Sequence, residues 1–173
     1  MKTAEAVSTF PTIDEVSNID ILSSPFFQPD DEFIKWLIKY ANGRIIVDVG
    51  CGSGYICALI MKNGGRCIGV EPNWTTERKI FWVERGYDFN VLPQKAQTSM
   101  ITSLPADRTL LIFARPCHSN FAFETIQKAK ANGIESLYIG KQQNAICDLS
   151  PLKFKKLPHV GTSKEDEIVL SIK

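Results

Sequence analysis

The stretch from Arg44 to Asn73, RIIVDVGCGSGYICALIMKNGGRCIGVEPN, limits what this chain can fold into more than any other part of it. A short apolar run, Ile45-Ile46-Val47, reaches Asp48 and turns through Gly50, Gly52 and Gly54. An apolar-periodic segment follows and breaks at Asn63-Gly64-Gly65. A second apolar run then ends on Glu71. This order predicts strand, glycine turn, helix, turn and strand, with an acid at the tip of the second strand.

Each part of that unit has a physical job. Glycines at a turn allow positive φ and let the backbone approach a ligand closely. The turn opens a helix whose free N–H groups attract negative charge. In open α/β sheets, ligands bind beyond the carboxyl ends of the strands, where strand order reverses. Glu71 is expected at that same edge, where a carboxylate can accept two hydrogen bonds from a ribose diol. The unit therefore reads as a nucleotide-type cofactor site.

The rest of the chain continues the alternation. Residues 1–29 are broken by Pro11, Pro25 and Pro29 and are expected to form an arm with one short helix. The same arm can serve as a lid, with Phe26 and Phe27 as its apolar contacts. Residues 30–173 form the cofactor-binding domain. Asp30 is a suitable N-cap for a helix carrying Phe33, Trp36, Leu37 and Tyr40 at helical spacing, stopped by Asn42-Gly43. Ile45–Val49 reads as a central parallel strand, residues 53–62 as a helix, and Cys67–Val70 as the second strand. Thr75 or Thr76 caps a helix through Arg85, which Gly86 stops. Further strands are expected at Phe89–Leu92, Thr109–Ala114 and Ile134–Ile139, the last stopped by Gly140. Helices are expected at Gln97–Leu104 and Asn120–Asn132. The stretches 152–157 and 167–173 alternate apolar and polar residues, predicting a hairpin antiparallel to the rest. The fold class is thus α/β: a three-layer α/β/α sandwich on a mostly parallel seven-stranded sheet, with a C-terminal antiparallel hairpin.

Composition sets outer limits. The 173 residues are enough for one domain with a proper core. The net charge of +1 gives no overall field pointing to nucleic acid. No apolar run approaches the ~20 residues that span a bilayer, and the N-terminus lacks the apolar core of a signal peptide. Five cysteines without a C-x-x-C pair read as reduced thiols in a cytoplasmic protein, not a disulfide frame or a metal site.

The glycine spacing narrows the cofactor. A dinucleotide fingerprint is G-x-G-x-x-G, whereas this turn is Gly50-x-Gly52-x-Gly54. Asp48-Val49-Gly50-Cys51-Gly52-Ser53-Gly54 resembles the first motif of the class I S-adenosylmethionine-dependent methyltransferases. Glu71, in Gly69-Val70-Glu71-Pro72, matches that family's acid after the second strand, and the final hairpin resembles its reversed seventh strand. The resemblance covers residues 30–173. It implies S-adenosylmethionine as cofactor and methyl transfer to an unknown acceptor, a small molecule or protein in preference to a nucleic-acid base. It implies that Asp48 lies near the methionine amino group. Gly50, Cys51, Gly52, Ser53 and Gly54 carry the methionine and ribose by backbone contact, and Glu71 holds the ribose hydroxyls. Pro72 and Asn73 border the adenine, with Trp74 as an apolar neighbour. Many members carry an acid after the third strand. Here that place reads Gln94-Lys95-Ala96-Gln97, so Gln94 or Gln97 is the candidate amide contact. Plainer readings stand beside these: Asp48 as a structural acid bonding the turn's own amides, and Glu71 as a solvated strand-end charge.

Chemistry is expected in the loop after the fourth strand, Arg115-Pro116-Cys117-His118-Ser119-Asn120. It lacks the Asn/Asp-Pro-Pro-aromatic step of the family's base-amino methyltransferases. His118 titrates near neutrality and is the candidate general base, or else a polar helix cap. Arg115 is the second catalytic candidate, as a binder of carboxylate or phosphate, or else a brace for the loop. Cys117 has no evident third partner, and Ser119 and Asn120 suit helix caps. His159 has no identifiable partner. Lys153, Lys155, Lys156 and Lys164 read as a solvated face or a small basic cluster. The alternative function is a catalytically silent protein of the same fold that binds the cofactor or a protein partner. A nicotinamide-dependent oxidoreductase is disfavoured by the glycine spacing.

Overall fold

The computed structural model describes residues 9–19, 25, 27–116, 121–158 and 167–173. Its elements in chain order are α1 (Ile13–Ser17), α2 (Asp31–Ala41), β1 (Ile45–Val49), α3 (Tyr55–Lys62), β2 (Cys67–Val70), α4 (Thr76–Val83) and β3 (Val91–Leu92). β4 (Thr109–Ala114), α5 (Phe121–Ala131), β5 (Glu135–Lys141), α6 (Gln142–Leu149), β6 (Lys155–Leu157) and β7 (Glu167–Ile172) complete the series. Seven strands form one sheet in the order β3-β2-β1-β4-β5-β7-β6. β1 to β5 are mutually parallel. β7 runs antiparallel between β5 and β6. The outer hairpin strand therefore runs with the parallel set, and β7 alone runs against it.

Strand periodicity splits the core into two layers. Ile46 of β1 and Leu110 and Ile112 of β4 face a cluster with Phe33, Leu37, Cys57 and Ile60, which belong to α2 and α3. Val47, Val49, Leu111 and Phe113 point the other way, toward Ala122, Ile126 and Leu149 of α5 and α6. Alternate side chains of a strand take opposite faces. Asp48 therefore shares the face of Ile46 and looks toward α3.

Helix boundaries follow local chemistry. The Asp30 carboxylate accepts from Phe33 N–H at 2.8 Å, and Asn42 ends α2 in the left-handed conformation. In the arm, Thr12 and Glu15 form a reciprocal capping box that starts α1. Phe10 then packs edge-on against Tyr55 and Tyr87.

Several boundaries differ from expectation. The segment expected as one helix over 97–104 is two 3-10 turns, Ala96–Thr98 and Met100–Ser103. Thr98 Oγ1 and Ser99 Oγ donate back to the carbonyls of Lys95 and Ala96 and compete with α-helical bonding. The third strand is only Val91–Leu92, and α4 ends at Val83. Gly140 does not stop β5: it pairs with Ile168 inside the ladder. A Cβ there would stand 3.2 Å from the Tyr138 ring, so glycine makes room for that ring. α6 was not anticipated, because it follows β5 without a turn and lacks a side-chain cap bond. Ala145 and Leu149, four residues apart, bury its inner face.

Candidate functional site

A cavity of ≈ 430 Å³ opens at the carboxyl ends of the parallel strands. Its lining includes Asp48, Gly50, Cys51, Gly52 and Ser53 from the glycine turn, and Glu71, Pro72 and Asn73 from the end of β2. The turn is left-handed at Gly50, Gly52 and Gly54, with φ of 78°, 53° and 82°. Gly54 is also held by close packing. A Cβ there would lie 2.8 Å from Phe89, 3.0 Å from Trp74 and 3.1 Å from Trp82 Nε1. Trp74 thus supports the turn from behind and is not part of the lining.

Two hydrogen bonds fix Gly52 from opposite sides. Its N–H donates to Glu71 Oε2 at 3.0 Å, and its carbonyl accepts from Arg78 Nη1 at 3.1 Å. Glu71 Oε1 also accepts from Asn73 N–H at 3.0 Å. The acid that binds the turn's own amide is therefore Glu71, not Asp48. Glu71 is held in one orientation by backbone donors, and each carboxylate oxygen keeps a second acceptor site. Trp82 Nε1 donates to Ser53 carbonyl at 2.7 Å. Ser53 Oγ is buried in the lining with no hydrogen-bond partner among the described residues. A buried hydroxyl in that state leaves its hydrogen-bonding capacity unused by the described residues.

Asp48 lies in a different environment. It is 2% exposed, and Cys57 Sγ is its recorded partner at 3.9 Å. Burial first, then the nearby Glu71 charge, push its carboxyl up to about 7. Cys51, Cys57 and Cys67 are free thiols, and Cys57 and Cys67 sulfurs lie 3.3 Å apart. Burial raises the thiols of Cys51 and Cys57, which keeps them protonated and unreactive. Among the described residues no group of His, Cys, Asp and Glu could hold a metal ion.

Arg115 follows β4 and lines the cavity beside Ala114 and Pro116. Its backbone is left-handed at φ 45°, its N–H donates to Ile139 carbonyl at 2.8 Å, and its Nε pairs with Glu167. His118, Cys117, Ser119 and Asn120 lie outside the described residues, as do Phe26, His159, Lys164 and the side chain of Gln97. Gln94 is exposed and is not in the lining. Lys153, Lys155 and Lys156 are exposed on and beside the edge strand β6.

Sequence reasoning missed Arg78, which is 3% exposed. One signal was present: a cation in the first turn of a helix opposes the helix dipole and needs another reason to be there. Pro25, Tyr55, Ile56 and Phe121 also line the cavity. Phe121 approaches Gly50, where an added Cβ would stand 3.6 Å from the ring. Phe27, expected as an apolar contact of the arm, lies in the lining and packs edge-on against Phe33.

The sequence matches no known family model and no curated protein. Solved structures do match. A proposed caffeoyl-CoA O-methyltransferase from Staphylococcus aureus is 12% identical, with a TM-score of 0.63 over 93% of this chain and 90% of that one. The mitomycin 7-O-methyltransferase is 14% identical, with a TM-score of 0.56 over 83% of this chain. This chain spans 53% of that enzyme's length. A Burkholderia thailandensis 1,6-didemethyltoxoflavin-N1-methyltransferase, solved with S-adenosylhomocysteine, is 11% identical, with a TM-score of 0.51 over 80% and 75% of the two chains. No helix among the described residues is long and apolar enough to cross a membrane. The strand order with β7 reversed, the glycine turn after β1 and these neighbours agree: the chain has the fold of the class I S-adenosylmethionine-dependent methyltransferases.

Proposed function

We propose that this protein binds S-adenosylmethionine and transfers its methyl group to an acceptor. The observation that carries the reading is the set of polar groups around one glycine turn. Glu71 is braced by two backbone amides, buried Asp48 lies one strand away, and unpartnered Ser53 Oγ lies in the same lining. These groups fit the cofactor's ribose diol, its amino group and its carboxylate.

The cofactor supplies an electrophilic methyl group on a sulfonium. The chain's residues bind, orient and exclude water. Asp48 takes the amino group, Gly50 to Gly54 and Cys51 line the methionine and ribose by backbone contact, and Ser53 takes the carboxylate. Glu71 holds the ribose hydroxyls, Pro72 and Asn73 border the adenine, and Gln97 supplies an amide contact. Methyl transfer requires alignment of the acceptor atom and a dry site more than a strong base. His118 is the proposed base that takes the acceptor's proton, and Arg115 orients the acceptor. The arm, through Pro25 and Phe27, is the proposed lid.

Isothermal titration with S-adenosylhomocysteine tests the reading. Binding in the micromolar range is expected, and no heat at millimolar ligand would overturn it. A second reading, a cofactor-binding protein without catalysis, draws on Lys95, which lines the cavity in the segment where many relatives of this fold carry an acid. Incorporation of labelled methyl into any acceptor of a crude extract would count against it.

A further inference from the structure

The arm reaches the cavity along two routes, one through the wall and one through the support of the glycine turn. Pro25 and Phe27 belong to the wall. The second route begins at α1. Thr12 and Glu15 close a reciprocal capping box, and Pro11 and Val16, at the staple positions around it, are both buried. A staple of this kind fixes the angle at which the chain enters a helix. Phe10, the next residue out, is thereby delivered to the aromatic side chains of α3 and α4.

The Phe10 ring centre lies 5.8 Å from that of Tyr55, 5.8 Å from Trp82 and 5.3 Å from Tyr87, and Lys62 Nζ stands 5.1 Å from it over the ring. Tyr55 and Lys62 open and close α3, about two turns apart on one face. Lys62 is also tied to Asp31 of α2. Two of these contacts lead on to the site. Tyr55 lines the cavity. Trp82 is 1% exposed, and its Nε1 donates to the Ser53 carbonyl at 2.7 Å. The same indole nitrogen would lie 3.1 Å from a Cβ at Gly54. The glycine turn thus rests on Trp82, and Trp82 packs on Phe10.

We propose that Phe10 is a positioning residue of the cavity: by holding Trp82 on the Ser53 carbonyl and Tyr55 in the wall, it sets the order of the glycine turn and hence the turn's affinity for its ligand. The identity of that ligand rests on the methyl-transfer reading; the hold on the turn does not. Glycine loses more conformational freedom on ordering than any other residue. A turn built on Gly50, Gly52 and Gly54 therefore depends on outside support more than a turn of ordinary residues does. Packed aromatic rings supply that support, and each ring pair contributes beyond its buried area.

The test measures amide hydrogen exchange in the full chain without ligand, and then S-adenosylhomocysteine affinity. The Gly52 N–H donates to Glu71 and the Gly54 N–H to the Cys51 carbonyl, so both report opening of the turn. In Phe10→Ala both are expected to exchange at least about threefold faster, the scale of one aromatic pair, and affinity to fall by a similar factor. Amides of the β4–β5 ladder should not change. Phe10→Leu, which keeps apolar bulk, should fall between and covers the case of a poorly folded Phe10→Ala. Trp82→Phe, which removes the donor to Ser53, should loosen the turn as well. The double variant should then show less than the product of the two single effects, because both act through one contact. Glu135→Gln, at the opposite end of the strands, is the control for lost stability alone and should leave the turn amides unchanged. Unchanged turn amides in both Phe10 variants, equal acceleration across the β4–β5 ladder, independent effects of Phe10→Ala and Trp82→Phe, or wild-type affinity in Phe10→Ala would each overturn the proposal. If S-adenosylhomocysteine does not bind the wild type while the turn amides respond to Phe10, the methyl-transfer reading falls and the positioning role stands.

Discussion

Glu71 Oε2 accepts a hydrogen bond from Gly52 N–H at 3.0 Å, so the acid at the end of β2 and the centre of the glycine turn form one rigid unit. The two residues follow neighbouring strands, β1 and β2, whose register pairs Val49 with Val70. Substituting either end should disturb both the turn and whatever it binds. Glu71→Ala is expected to weaken S-adenosylhomocysteine binding by at least tenfold, in line with about 1.5–3 kcal/mol for hydrogen bonds to a charged group. Titration calorimetry checks this, and unchanged affinity would remove Glu71 from the site.

Asp48 makes binding and stability depend on pH in opposite senses. Its carboxyl is pushed up to about 7 by burial and by Glu71, against an ordinary value near 3.9. The folded state therefore holds a proton that the unfolded state releases between those values. The stability this contributes is complete below about pH 4 and is lost as pH rises through 7. A ligand carrying a positive amino group favours the ionised carboxylate, so affinity should rise by up to about tenfold per unit as pH climbs toward 7. Asp48→Asn should flatten both profiles, read by thermal melts and by titration from pH 5 to 8.

The glycines of the turn should not be equally sensitive. A Cβ at Gly54 meets Phe89, Trp74 and Trp82 within 3.1 Å, whereas a Cβ at Gly52 meets nothing within 4 Å. Both have positive φ. Gly52→Ala should cost about 1 kcal/mol, the backbone strain alone. Gly54→Ala should cost about 2–4 kcal/mol, because crowding against aromatic rings adds to the strain. Chemical denaturation of the two variants measures the difference, and equal losses would refute the packing argument.

A second polar cluster should affect stability without affecting the site. At the amino end of β5, Glu135 accepts from Arg44 at 2.7 Å, Ser171 at 2.6 Å and Tyr40 at 2.5 Å. Burial alone would raise its carboxyl, but the hydrogen bonds from Ser171, Tyr40 and Arg44 outweigh burial and hold it below the usual range. Its contribution is present above the ordinary carboxylate value and is lost as pH falls through the lowered one. Glu135→Gln should cost about 2–3 kcal/mol at pH 7 and less at pH 3. Affinity for S-adenosylhomocysteine should not change, since the cluster lies at the opposite end of the strands.

The pattern of the chain carried the fold because its signals are local. Asp30, Asn42-Gly43, Thr75 and the glycine turn each act through neighbours within a few residues, and the bounds of β1, β2 and β4 follow from them. Where local signals conflict or are missing, the reading failed. The hydroxyls of Thr98 and Ser99 turned an expected helix into 3-10 turns, and uncapped α6 gave no start signal. Gly140 reads as a stop in sequence, yet in the sheet it makes room for Tyr138.

The sequence alone determined that a glycine turn follows the first strand and an acid follows the second, because residue order fixes both. It could not say which acid grips the turn, that Arg78 reaches 26 residues back to Gly52, or that Arg115 stands on Glu167. Those relationships join separate strands and helices, and sequence distance carries no record of them. Only the packing of β7 between β5 and β6 brings Glu167 up to the end of β4. Only the strand parity of β1 turns Asp48 toward α3, away from water, where its charge becomes costly.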